Sequence, residues 1–181
     1  VKLETKADFE LALARLRRRD PKEMAALILS LVQDSGPFGE HVRTFIVGDD
    51  VLEVEESLRQ RLRSLKSPSE YDHRHARGVE VGQHLVFILD AIETLVLPTD
   101  PRRAFGLLVA FFEADGRAME ECGEHDWAVA CAFERAASLM REAAKGMPAA
   151  EVAATVSALM AVDEYGLRRG LGVVIGLGAA D

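Results

Sequence analysis

Apolar residues recur three or four positions apart along almost the whole chain. Proline or glycine interrupts that rhythm about every 10 to 25 residues, close to ordinary helix lengths. Alternating β-branched stretches are missing, and Ala, Leu, Glu and Arg dominate the segments between the breaks. The chain is therefore restricted to an all-helical fold. Its 181 residues are enough for a hydrophobic core without disulfides or metals.

The breaks set the expected elements. Thr5 with Asp8 resembles a capping box opening a helix to about Arg18, with Phe9, Leu13 and Leu16 on one face. Asp20-Pro21 opens a second helix carrying Met24, Leu27, Ile28 and Leu31, because the carboxylate caps free amides and proline suits the first helical turn. Asp34-Ser35-Gly36-Pro37 ends it and starts a third, stopped by Gly48. A fourth runs from Asp50 to Lys66 with Leu52, Leu58 and Leu62 inward. A long central helix follows from Glu70 to Val96, with Val81, Leu85, Ile88 and Ile92 at helical spacing. The sixth spans Pro101 to Cys122, the seventh His125 to Lys145, and the eighth starts at Pro148. A short helix is expected within 166–175, inside a glycine-rich end.

About eight or nine helices result. Asp20-Pro21 and Asp100-Pro101 open similar units, Pro148 opens a third, and small residues cluster on the later helices. These features favour antiparallel pairs stacked as a tetratricopeptide-like or HEAT-like curved array, with an irregular bundle as the alternative. One domain over 1–181 is expected, with a sub-division at the 67–69 linker and a flexible or interface tail over 170–181.

The formal net charge of −8 repels phosphate backbones at long range, so no nucleic-acid partner is expected. Apolar runs are too short for a membrane span. The start of the chain lacks a signal-type apolar core, and two cysteines without a C-x-x-C pair read as reduced thiols. A cytoplasmic location is the expectation.

Two clusters hold metal-ligating residue types. His73 and His75 lie beside Asp72, but an H-x-H pair on a helix points to different sides. Cys122 and His125 lie within Glu120-Glu121-Cys122-Gly123-Glu124-His125-Asp126, a segment also explained as a capped interhelix loop. These four residues are the metal candidates, and no metal is expected at them. Asp90 with Glu93, and Glu113 with Asp115, are acids near apolar stripes, read as polar anchors between helices. One E-x-x-H (Glu70, His73) occurs without the second copy that a di-iron bundle needs. Arg15 to Lys22 and Arg59 to Lys66 are basic stretches without interleaved aromatics, fitting helix C-termini better than a nucleic-acid groove. Phosphate-loop, dinucleotide and nucleophile-elbow motifs are absent, so no catalytic residue and no cofactor is expected. Trp127 is expected to anchor helix packing.

Ala161-Val162-Asp163-Glu164-Tyr165-Gly166 resembles the ending of an uncharacterised bacterial all-helical family often associated with SWIM zinc-finger proteins. The Asp20-Pro21 helix, Leu58 to Arg63, and Tyr71 to Leu95 with Asp90-Ala91-Ile92-Glu93 are similar to other parts of it. The resemblance covers about residues 20 to 170 and implies the helical part alone, since the finger's Cys/His set is missing. It implies a helical-repeat fold and carries no activity or site residue. The function expected is a non-catalytic interaction or scaffold module. It would bind a protein or peptide in a groove lined by the fifth and seventh helices, or form a homodimer through the tail. The alternative is a metal-binding protein or hydrolase-like enzyme using the His and acid clusters.

Overall fold

A computed structural model describes residues 6–32, 37–46, 50–65, 74–122 and 127–175. Among them every regular element is helical and no strand forms. The α-helices are α1 (Lys6–Leu16), α2 (Pro21–Val32), α3 (Pro37–Ile46), α4 (Val51–Arg63), α5 (Arg74–Ala91), α6 (Pro101–Phe112), α7 (Asp115–Cys122), α8 (Trp127–Ala143), α9 (Ala149–Ala161) and α10 (Gly172–Ile175). No described helix is long and apolar enough to cross a membrane.

The expected start signals operate through the chemistry that suggested them. Asp50 Oδ1 accepts from the amides of Leu52 (2.9 Å) and Glu53 (3.3 Å). Asp100 Oδ1 accepts from Arg103 N (3.0 Å), with Pro101 in the first turn. Asp20 Oδ1 accepts from Lys22 N (3.0 Å). These bonds satisfy amides that lack a partner within their own helix. Gly146 ends the turn after α8 at φ 84°, a left-handed conformation costly for other residues.

Four expectations need correction. The helix expected from Pro101 to Cys122 breaks at Glu113–Ala114, beside the inward-facing Asp115, and ten α-helices form among the described residues. The central helix ends in a π-helical turn over Ile92–Val96, closed by Leu97 N donating to Ile92 O at 2.8 Å. A short helix forms within 166–175 as expected, and there Leu171 and Val174 are buried in the core. Trp127 anchors nothing, since it is 80% exposed, and Leu52 faces solvent as well. The 67–69 linker and residues 176–181 lie outside the described residues.

The core runs from α4 to α10. Leu58, Leu85, Ile88, Leu107, Leu108, Phe133 and Met140 are essentially fully buried, Leu58, Leu85 and Ile88 as their helical spacing predicted. Phe133 packs its ring against Phe111 (centroids 5.0 Å) and Phe112 (5.6 Å), in the tilted and edge-on geometries that aromatic quadrupoles favour. α5 lies directly on α8, so the two helices expected to line a groove cover each other's apolar faces. At Gly82 the approach is so close that an added Cβ would fall 2.6 Å from Ala128 Cβ.

Candidate functional site

The metal candidates do not assemble within the described structure. His73 and His125 lie outside the described residues, and His75 lies in the first turn of α5, where its side chain is not described. Cys122 is buried, and its Sγ donates to Ala118 O at 2.8 Å. Among the described residues no group of three or more His, Cys, Asp or Glu side chains is placed to hold a metal.

Three of the four acids, Asp90, Glu93 and Asp115, act as anchors. Arg135 Nη2 on α8 donates to Asp90 Oδ1 (2.6 Å) and Glu93 Oε2 (2.5 Å), tying α8 to the end of α5. Asp115 receives a two-pronged bond from Arg168: Nε to Oδ2 at 2.6 Å and Nη2 to Oδ1 at 2.8 Å. Arg168 Nη1 also donates to Leu159 O at 2.9 Å. Both side chains of this pair are buried. Their donors and acceptors are committed to one another, so the pair clamps the segment after α9 onto α7.

Sequence reasoning missed a second buried polar cluster. Arg61 belongs to the basic stretch expected at a helix C-terminus, yet it is buried between α3, α4 and α5. Its Nε donates to His84 Nε2 (3.3 Å) and its Nη1 to Thr44 Oγ1 (3.3 Å). Glu40 Oε2 stands 3.6 Å from Arg61 Nε and 3.7 Å from His84 Nε2. Arg61 Nη2 and His41 Nδ1 are buried without a hydrogen-bond partner. Burial, with Arg61 beside it, holds the His84 imidazole down at about 4. It is therefore neutral at pH 7 and able to accept from the guanidinium. Burial also draws Arg61 down to about 10, opposed by Glu40, so it stays charged. The Thr44 hydroxyl accepts from Arg61 and donates to Glu40 O at 3.0 Å, so it is bonded within the cluster. The chemistry of the cluster is cohesion: one cation holds three helices together. The available signal was positional, because Arg61 lies one turn from Leu58 and beside Leu62 on the inward face of α4.

This cluster reverses α3. Glu40 and Thr44 turn toward Arg61, with Thr44 1% exposed, while Phe38, Phe45 and Ile46 are exposed. The ring of His41 stacks on Phe87 of α5 (4.5 Å, 17°) and meets Phe45 edge-on (4.8 Å). α2 packs on α3. Over residues 24–32, α2 has one polar residue, Ser30, whose hydroxyl donates to Leu27 O at 2.7 Å. A helix apolar on every side belongs inside a core. Yet Leu27, Ile28 and Leu29 are 52, 40 and 59% exposed, and Leu11 and Leu16 of α1 are exposed as well.

No protein-family model, curated protein or solved structure matches the chain.

Two clefts complete the surface. One, of about 610 Å³, lies between the end of α8, the start of α9 and α10, walled by Ala144, Met147, Val152, Val174 and Ile175. The other, about 430 Å³, lies beside α6 and α9, with Val109, Thr155, Leu159 and Val162 around Glu113 and Arg168. In the second, the Thr155 hydroxyl donates to Glu151 O at 3.0 Å and Arg168 is held by Asp115. The exposed apolar face of α1, α2 and α3 is the stronger candidate for function.

Proposed function

We propose that this chain is a non-catalytic helical interaction module that binds a protein partner through the apolar face of α1, α2 and α3. The observation that carries the reading is α2, whose residues 24–32 include one polar side chain and whose Leu27, Ile28 and Leu29 are exposed. Large side chains grouped this way mark a contact surface rather than a solvent-facing one. The basic residues Arg15, Arg17, Arg18, Arg19 and Lys22 form a charged rim beside it.

We also read the fold as a stack of helical hairpins. Support comes from part of the packing order: α3 lies on α5, α4 on α6, α5 on α7, α6 on α8, and α8 on α10, beside the more extensive packing of α5 on α8, three helices apart. Contact between elements two apart is what stacked hairpins produce. In such a stack α1 and α2 form the first unit, and an end unit with an apolar outer side leaves the stack uncapped.

A photoreactive amino acid at position 27 or 29 tests the binding face in living cells. Discrete cross-linked adducts at these positions, absent from a control at exposed Glu56, are expected. Equal or absent cross-linking at all three positions overturns the reading.

A further inference from the structure

We infer that α3, with α2 packed on it, is an acid-released unit: proton uptake at His41 and His84 detaches it from α4 and α5 while the core from α4 to α10 stays folded. This does not depend on what binds the apolar face.

The way α3 is held makes a local release possible. α2 packs on α3, and α3 packs on α5 and more lightly on α4. The buried apolar core begins at Val54 of α4 and draws no described side chain from α2 or α3. What holds α3 is instead two rings and a polar cluster. Phe38 and His41 meet Phe87 of α5 (centroids 6.0 and 4.5 Å), while Thr44 and Glu40 meet Arg61 of α4. A unit with few buried apolar contacts opens at a lower free energy than the core.

The polar cluster works only with neutral imidazoles. His84 Nε2 accepts from Arg61 Nε at 3.3 Å. A proton on that nitrogen would set N–H against N–H and a second cation against the guanidinium. His41 Nδ1 is buried without a partner, as is Arg61 Nη2. A charged His41 would therefore carry an unmet N–H between Phe87 and Phe45. With both histidines protonated, three cations share Glu40, whose side chain is itself half-exposed. Departure of α3 opens His84 and Arg61 to water and carries His41 away from Arg61.

The other charges around the cluster do not offset this. Asp90 and a bond to the Phe87 backbone favour a charged His41, but Asp90 is already paired with Arg135 of α8. Glu80, one turn before His84 on α5, is partly exposed, and Arg43 of α3 is exposed. Arg117 of α7 donates to Leu62 O, beside Arg61, and adds a further cation. α2 brings no titratable group over residues 24–32. Both histidines are lowered, by burial first and by Arg61 next, His84 to about 4. In the detached state they return to water and bind protons more readily. Detachment is therefore favoured as the pH falls from 6.5 toward 4, and His84 drives it no further below that.

The test is hydrogen exchange of the 181-residue chain at pH 7.5 and 5, corrected for the intrinsic pH dependence of amide exchange. Opening of α3 is expected to rise by about 30-fold or more relative to α6 and α8. His84→Gln keeps an acceptor for Arg61 and takes up no proton in this range. It is expected to cut that rise by at least about 10-fold, and adding His41→Gln to remove the rest. An α3 opening unchanged by pH overturns the inference. So does a rise shared equally by α6 and α8, which is global destabilisation, and so does a rise that His84→Gln leaves intact. Should the variants fail to fold, an NMR titration of the wild type decides. A His84 imidazole that charges only as α3 amides lose protection supports the inference; one that charges near pH 6.5 with α3 still protected overturns it.

Discussion

Asp115 and Arg168 are 53 positions apart and meet in the interior through two hydrogen bonds. Burying such a pair has a large desolvation cost, and removing one charge leaves the other uncompensated. Asp115→Asn is therefore expected to destabilise the fold by about 3–5 kcal/mol, lowering Tm by roughly 10 °C in scanning calorimetry. His84 gives a different signature. Its imidazole lies near 4 in the folded chain, against an ordinary value of 6.5. The unfolded chain therefore takes up the proton first. Stability is expected to be unaffected by this group above pH 6.5, then to fall by up to about 3 kcal/mol as the pH drops to 4, and to change no further below that. His41 is lowered too, mainly by burial, and acts in the same direction. Urea unfolding of the wild type and His84→Gln at pH 7.5 and 5 checks this. The variant retains an acceptor for Arg61 and is expected to lose less stability between the two pH values. Neither buried cluster was legible as such: the acid at 115 was recognised as a polar anchor, but nothing local names Arg168 as its partner or lifts Arg61 out of its basic run.

At the scale of elements, the meeting of α5 and α8 depends on one missing side chain. Alanine at position 82 would favour the helix by about 0.5–1 kcal/mol through its backbone preference alone. The new Cβ, however, would stand 2.6 Å from Ala128 Cβ, and overpacking costs about 1–3 kcal/mol. The packing cost wins, so Gly82→Ala is expected to destabilise by about 1–2 kcal/mol. Adding Ala128→Gly is expected to recover part of it, read as a coupling in a double-mutant cycle by chemical denaturation. Helix starts were legible because capping is local: an aspartate bonds amides two or three residues on, and a following proline fixes the first turn. The split between α6 and α7 was not. Residues 113–122 continue the helical rhythm, and what breaks it is the pull of Arg168 on Asp115 from another part of the chain.

At the scale of the whole molecule, the described structure has two ends of different character. From α4 to α10 large apolar side chains are shared among several helices, with the Phe111, Phe112 and Phe133 rings at the contact of α6 and α8. At the α1–α3 end Thr44 is buried and Glu40, itself half-exposed, reaches Arg61, while several leucines and phenylalanines are partly or largely exposed.

The sequence by itself determined the helical class, most helix boundaries and the buried stripes of α5, α6 and α8, because 3.6-residue periodicity, capping and proline geometry act within a few residues of one another. It also carried the unusual composition of α2, without saying whether that helix lies inside or outside. Tertiary structure alone decided three things: that Arg61 is buried, that Asp115 leaves the helical run to meet Arg168, and that α3 turns its polar side inward. Each is a contact between segments far apart in sequence. Burial is a property of what packs on a residue, and the same arginine or leucine reads identically in a string of letters whether water or another helix lies against it.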